Sequence, residues 1–249
     1  MVQRPVEWCP APPGDREVYE SPWGTNRIIN LADLEKDLFF QDLKRIGDRC
    51  NFEYVHSAQV CRLSLALFDE MQKYHKLGER DRTLMMAGSL LHDIGAFGLS
   101  SAPAKDRVGE HGIHDYKHHN KRSQKIILKG GVPNLTAAEV KIVSCVARYH
   151  TKGLPEDSDA YFKDLTARDK KRVRIMAGIL RVADSLDRRH ASMAKDLRCN
   201  TSKDGKCMLI WLYCKEHDFD WRPKHKIDLF QEVFKVQVKI PILFGVRVG

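Results

Sequence analysis

The stretch Leu90-Leu91-His92-Asp93-Ile94-Gly95 decides how this chain is read. It places an imidazole and a carboxylate side by side at the end of an apolar run. A carboxylate in such surroundings is costly to bury without compensation, and a bound cation is the usual compensation. Working outward, His56, His119, His150 and Asp184 recur at intervals of 36, 26, 31 and 34 residues. Each interval is about one helix plus its connection. Six potential ligands on five segments therefore point to a metal site built inside a helical bundle.

The flanking pattern supports helices. Leu31, Leu34 and Leu38 are spaced by three and four residues, and so are Phe39, Leu43 and Ile46, then Val60, Leu63, Leu67 and Met71. A helix is expected over Asp81–Asp93 with Gly95 as its stop signal, and another over His118–Lys129 closed by Gly130-Gly131. Thr136-Ala137-Ala138-Glu139 reads as a capping box that opens a helix to about Tyr149, and Thr166 caps the next long helix. After about Asp196 the texture changes. Residues 197–201 and 207–214 read as a β-hairpin around Gly205, Lys226–Phe234 as a helix and Lys235–Ile240 as a strand. The expected organisation is an N-terminal arm over 1–30, a helical metal-binding domain over 31–195 and a small α+β subdomain over 196–249.

Composition bounds the function. The 249 residues are 43% hydrophobic and 30% charged, as in ordinary globular proteins. No run of about 18 apolar residues suggests a membrane span, and Met1–Glu7 does not read as the start of a secretory signal. Seven cysteines without a CxxC spacing fit free thiols in a reducing cytoplasm, and a cluster of Cys199, Cys207 and Cys214 is only a weak zinc candidate. The formal charge of +9 favours anionic partners. The densest basic run, Arg168–Arg174, reads as a solvated helix face, and no motif for sequence-specific nucleic-acid binding accompanies it.

His56, then His92-Asp93, then Asp184 resemble the signature of the HD superfamily of metal-dependent phosphohydrolases, and His119 and His150 resemble the two further histidines of its binuclear members. Residues 147–155, 180–190 and 227–234 are similar to segments of the C-terminal domain of the exopolyphosphatase and guanosine pentaphosphate phosphatase family. The actin-like domain that carries exopolyphosphatase activity there has no counterpart in this sequence, so the resemblance implies the helical HD fold rather than that activity. His118 stays open as an alternative ligand to His119. Leu154 stands where the cyclic dinucleotide phosphodiesterases have Tyr in Gly-Tyr-Pro, and Ala96 where they commonly have Lys, which argues against that substrate.

The resemblance implies hydrolysis by a metal-activated water, with two divalent ions (manganese, iron, cobalt or zinc) about 3.5–4 Å apart. Asp93 would bridge them as the catalytic carboxylate, with His56, His92 and Asp184 on one ion and His119 and His150 on the other. Asp187 would stand behind a ligand or pair at the helix end. Lys121, Arg122, Arg148, Lys152, Arg181 and Arg188 are the candidate phosphate-binding cations. The expected partner is a small phosphorylated substrate (a nucleotide or alarmone) or a polyanion, with no membrane and with homodimerisation open. Two rivals are a non-catalytic nucleotide-sensing or dimerisation module and a mixed-valent di-iron oxygenase.

Overall fold

A computed structural model describes residues 29–96, 118–202, 204–214 and 226–244. The N-terminal arm expected over 1–30 lies almost wholly outside the described residues. The helices run α1 (Leu31–Leu34), α2 (Leu38–Arg49), α3 (Tyr54–Glu70), α4 (Gln72–His75), α5 (Glu79–Leu90), α6 (His119–Gly130), α7 (Ala137–Arg148) and α8 (Ala167–Leu186). After them come β1 (Ala194–Thr201), β2 (Cys207–Cys214), α9 (Asp228–Phe234), β3 (Gln237–Lys239) and β4 (Ile242–Phe244).

Two helices form the centre. Helix α3 buries nearly every residue from His56 to Phe68, and α8 buries almost all from Val173 to Leu186. They pack on each other, with α5 against α3, and with α7 against both α5 and α8. Arg62 on α3 reaches the carbonyls of Ala194 and Lys195 at 2.7 and 2.8 Å, and Gln59 reaches Ala194 O at 2.6 Å. This buried polar clamp fixes the start of β1 on the helical body.

The Leu31–Leu38 periodicity does not make one helix. Asp37 caps α2 by accepting from Phe39 N and Phe40 N at 2.7 and 3.1 Å, which breaks the run after α1. Leu38 is consequently 77% exposed, while Phe40, Leu43 and Ile46 face the core. The capping box at α7 forms as read, with Thr136 N donating to Glu139 Oε2 and Glu139 N to Thr136 Oγ1.

The β1–β2 hairpin is antiparallel, and β3 and β4 both lie parallel to β2 along its other edge. The sequence suggested a strand over Lys235–Ile240, which holds β3 but stops short of β4. Pro241, lacking an N–H, separates the two short strands, and its carbonyl accepts from Leu212 N at 2.9 Å. Helix α9 seats on α8 at Gly178, where a Cβ would meet the Phe230 backbone at 3.3 Å. Ala194, Leu197, Ile210, Leu212, Leu229 and Phe230 thereby join the same hydrophobic core as the helices.

The basic run 168–174 is solvated at Arg168 and Lys171, but its other cations form a seam. Arg172 bonds Asp81 on α5 and Asp169, Arg174 bonds Glu232 on α9 and the Pro155 carbonyl, and Lys170 bonds Asp157. Among the described residues Cys199, Cys207 and Cys214 form no metal cluster, and the six described cysteines are free thiols. No described helix is long and apolar enough to cross a membrane.

Glu139 gives a pH test. Its carboxylate takes Arg80 Nε at 2.6 Å and Nη2 at 2.8 Å as well as the cap, and the Arg80 bond holds its pKa down to about 2. A depressed carboxyl pKa contributes stability above the unfolded value and loses it as pH falls toward the folded one. Wild type should therefore exceed Glu139→Gln in denaturant melts by a constant margin near neutral pH. That margin should shrink below the ordinary carboxyl value of 4.5. A margin independent of pH would contradict the assignment.

Candidate metal centre

The site lies where helix ends converge. Helix α5 stops at Leu90, and His92 and Asp93 occupy the buried turn that follows. Helix α7 stops at Arg148, two residues before His150. His56 sits in the first turn of α3, His119 opens α6, and Asp184 lies in the last turn of α8.

The turn after α5 is locked to α6 through Gly95. Gly95 N donates to Ser123 Oγ at 3.0 Å, and Arg122 Nε donates to Gly95 O at 2.6 Å. A Cβ at Gly95 would stand 2.4 Å from both His119 O and Ser123 N, so only glycine permits this approach. Asn120 joins the remaining pair of segments, donating from Nδ2 to Arg148 O at 2.9 Å and to Thr151 Oγ1 at 2.8 Å. His119 and His150 are held together as a result.

All six candidate ligands meet. His119 Nε2 and His150 Nε2 each approach Asp93 Oδ1 at 3.1 Å and each other at 2.8 Å. On the other side His92 Nε2 is 3.4 Å and His56 Nε2 3.9 Å from Asp93 Oδ2, and His56 Nε2 is 3.6 Å from Asp184 Oδ1. Two overlapping groups, His56-His92-Asp184 and His92-Asp93-His150, each offer ligand atoms within 4.8 Å of one another. His118 instead sits exposed at the start of α6 with φ of 59°.

Hydrogen bonds decide what the imidazoles present. His92 Nδ1 faces Ser89 O at 2.7 Å, His150 Nδ1 faces Ala147 O at 2.5 Å, and His56 Nδ1 faces Asp187 Oδ2 at 2.9 Å. Each partner only accepts, so Nδ1 carries the proton and Nε2 turns its lone pair inward. His56 Nε2, His92 Nε2 and Asp93 Oδ1 are buried without a hydrogen-bond partner. Converging lone pairs of this kind are what a cation needs and what an empty protein core avoids. The residues fit a divalent metal.

Burial and neighbouring charges set the direction in which each group shifts. Burial pushes His92 down to about 4, which keeps it neutral. Burial would raise the Asp93 pKa, but the neighbouring imidazoles of His92, His119 and His150 hold it well below the usual carboxylate range. Burial acts against Asp184 too, and is outweighed first by Lys226 and then by the histidines. At His56 burial lowers the pKa, but the Asp187 bond and the charges of Asp184 and Asp93 raise it on balance.

The candidate phosphate cations scatter. Arg181 is fully buried and pairs with Asp228 at 2.8 Å, so it ties α8 to α9. Arg122 holds the Gly95 carbonyl. Arg148 is half-buried over the Tyr149 ring, and Lys121, Lys152 and Arg188 are exposed. Sequence reasoning missed three neighbours. Lys226 contacts Asp184 Oδ2 directly. His190 stacks on His56 at 3.8 Å and 10°, and its Nδ1 lies 2.8 Å from Glu53 Oε2. His190 closes the segment 180–190 that carries the family resemblance, and no spacing singles it out.

Residues 54–189 match the HD domain family. The chain belongs to the HD domain family. HD domains are typical of metal-dependent hydrolases, and the buried His/Asp groups here could hold a divalent metal. No curated protein matches the chain.

Two variants probe the scaffold. Gly95→Ala should destabilise by roughly 1–3 kcal/mol, because the His92-Asp93 turn and α6 must part, and it should also lower metal content in the purified protein. Asp187→Asn should leave the melting temperature nearly unchanged while weakening metal affinity about 10–100-fold. Equal metal affinity in a competition titration against a chelator would refute that role for Asp187.

Proposed function

We propose that this HD domain is a metal-dependent phosphohydrolase that cleaves a phosphoester or phosphoanhydride of a nucleotide, alarmone or other small phosphorylated compound. The observation that carries the reading is the buried set of inward lone pairs on His56, His92 and Asp93. A structural core would have satisfied them or replaced them with apolar groups.

In this reading His56, His92, Asp184, His119 and His150 hold the metal, with Asp93 between the two sides of the cluster. A bound divalent transition metal supplies Lewis acidity and makes water a competent nucleophile near neutral pH. The chain's own contribution is orientation and charge. The Nδ1 partners fix each imidazole, Asp187 steadies His56, and burial of the cluster limits bulk water. In the net reaction water adds to phosphorus and a P–O bond to the leaving group breaks. The formal charge of +9 supports an anionic substrate. The sequence resemblance supports kinship with the C-terminal domain of the exopolyphosphatase and guanosine pentaphosphate phosphatase family.

The test is elemental analysis of the purified protein, followed by a screen of phosphorylated metabolites with manganese, iron, cobalt and zinc. Phosphate release is expected without oxygen. Asp93→Ala should abolish metal retention and hydrolysis while keeping most of the helical circular dichroism signal. Unchanged metal stoichiometry in that variant would overturn the ligand assignment, and substrate-dependent oxygen uptake would replace hydrolysis with oxygenase chemistry.

A further inference from the structure

We propose that Lys226 is the substrate-anchoring cation of this site, delivered to it by the C-terminal subdomain. The inference rests on the phosphohydrolase reading and adds a residue that neither the sequence pattern nor the HD match assigns; Lys226 lies beyond the matched residues 54–189.

The geometry is specific. Asp184 divides its carboxylate: Oδ1 faces His56 Nε2 at 3.6 Å on the inner side, and Oδ2 accepts from Lys226 Nζ. One oxygen can serve the metal cluster while the other keeps the lysine. Lys226 therefore lies one carboxylate away from the cluster. Asp184 is 9% exposed and the lysine side chain 33%, so Lys226 reaches the buried carboxylate from a side partly open to solvent. An anion that approaches the cluster from that side meets a positive charge with two N–H groups besides the one given to Asp184.

The backbone that carries Lys226 is pinned. Two residues on, Asp228 pairs with the fully buried Arg181 of α8, and Phe230 lies against Gly178 of the same helix. The lysine is thus brought to Asp184 by a docked helix rather than by a free tail. This arrangement also gives the C-terminal subdomain a task at the site. Arg181 supplies the pin, and Lys226 supplies the charge.

A lysine that only neutralised Asp184 would make a different prediction, and the experiment separates the two. Wild type, Lys226→Met and Lys226→Arg are loaded with manganese, and metal content and melting temperature are measured. Inorganic phosphate is then titrated by calorimetry, and hydrolysis of p-nitrophenyl phosphate is followed. Lys226→Met is expected to keep its metal and to bind phosphate at least about tenfold more weakly, with any hydrolysis showing a raised KM. Lys226→Arg is expected to recover most of the affinity. Equal phosphate affinity in Lys226→Met, absence of phosphate binding to wild type, or loss of metal in Lys226→Met would each overturn the proposal. If Lys226→Met does not fold, Lys226→Gln takes its place under the same criteria. Lys226-dependent phosphate binding without hydrolysis of any phosphorylated compound would sink the hydrolase reading and leave this one standing. Hydrolysis with an unchanged KM in the variant would do the reverse.

Discussion

Asp93 sets the terms for everything around it. A buried carboxylate persists as an anion only where positive charge balances it, because desolvation alone would favour its protonation. Here the surroundings come from five segments at once: the turn after α5, the ends of α3, α6 and α8, and the residues just past α7. Successive segments contribute residues at least 26 positions apart in sequence. The bundle must therefore close around this carboxylate with all five segments in register. The contacts that set the register are local and polar: Gly95 against α6, Asn120 across to Arg148 and Thr151, and Asp187 behind His56. The apolar core supplies cohesion, and these bonds supply aim.

Much of this was legible in the sequence, for identifiable reasons. A His-Asp pair between Leu91 and Ile94 violates the ordinary pattern of an apolar run, and such violations are where function is expected. The one-helix spacing of the other histidines and of Asp184 then implied a bundle. Caps at Thr136 and Thr166 were readable because a side chain bonding its own backbone needs no tertiary partner. What escaped were effects that depend on distant chain. Leu38 kept helical spacing, but the Asp37 cap overruled it. Arg181 sat one turn from Asp184 and looked like a phosphate ligand, yet a carboxylate 47 residues later claims it. The run 168–174 looked solvated because its partners Asp81, Asp157, Pro155 and Glu232 are far away or lie on other elements. Lys226 was invisible for the same reason, being 42 residues from the carboxylate it touches.

The small C-terminal sheet is more than an appendage. Its first strand is clamped to α3 by Arg62 and Gln59, and its helix is seated on α8 by Gly178. Those two helices carry His56 and Asp184. A change in how the subdomain sits would thus bear on both of these ligands, through packed helices rather than through a flexible connection.

The partners of the imidazoles differ in kind, and that difference bears on how such a site can change over time. His92 and His150 are oriented by the carbonyls of Ser89 and Ala147 at the ends of two helices. Main-chain oxygens cannot be deleted by substitution, so the set of these two ligands is protected as long as the helices end where they do. His56 is oriented by the side chain of Asp187, which a single codon change can remove or weaken. Of these three candidate ligands, two are therefore oriented by groups that mutation cannot remove and one by a group that it can. Among these three imidazoles, position 187 is where a single substitution would release a candidate ligand from the group that orients it.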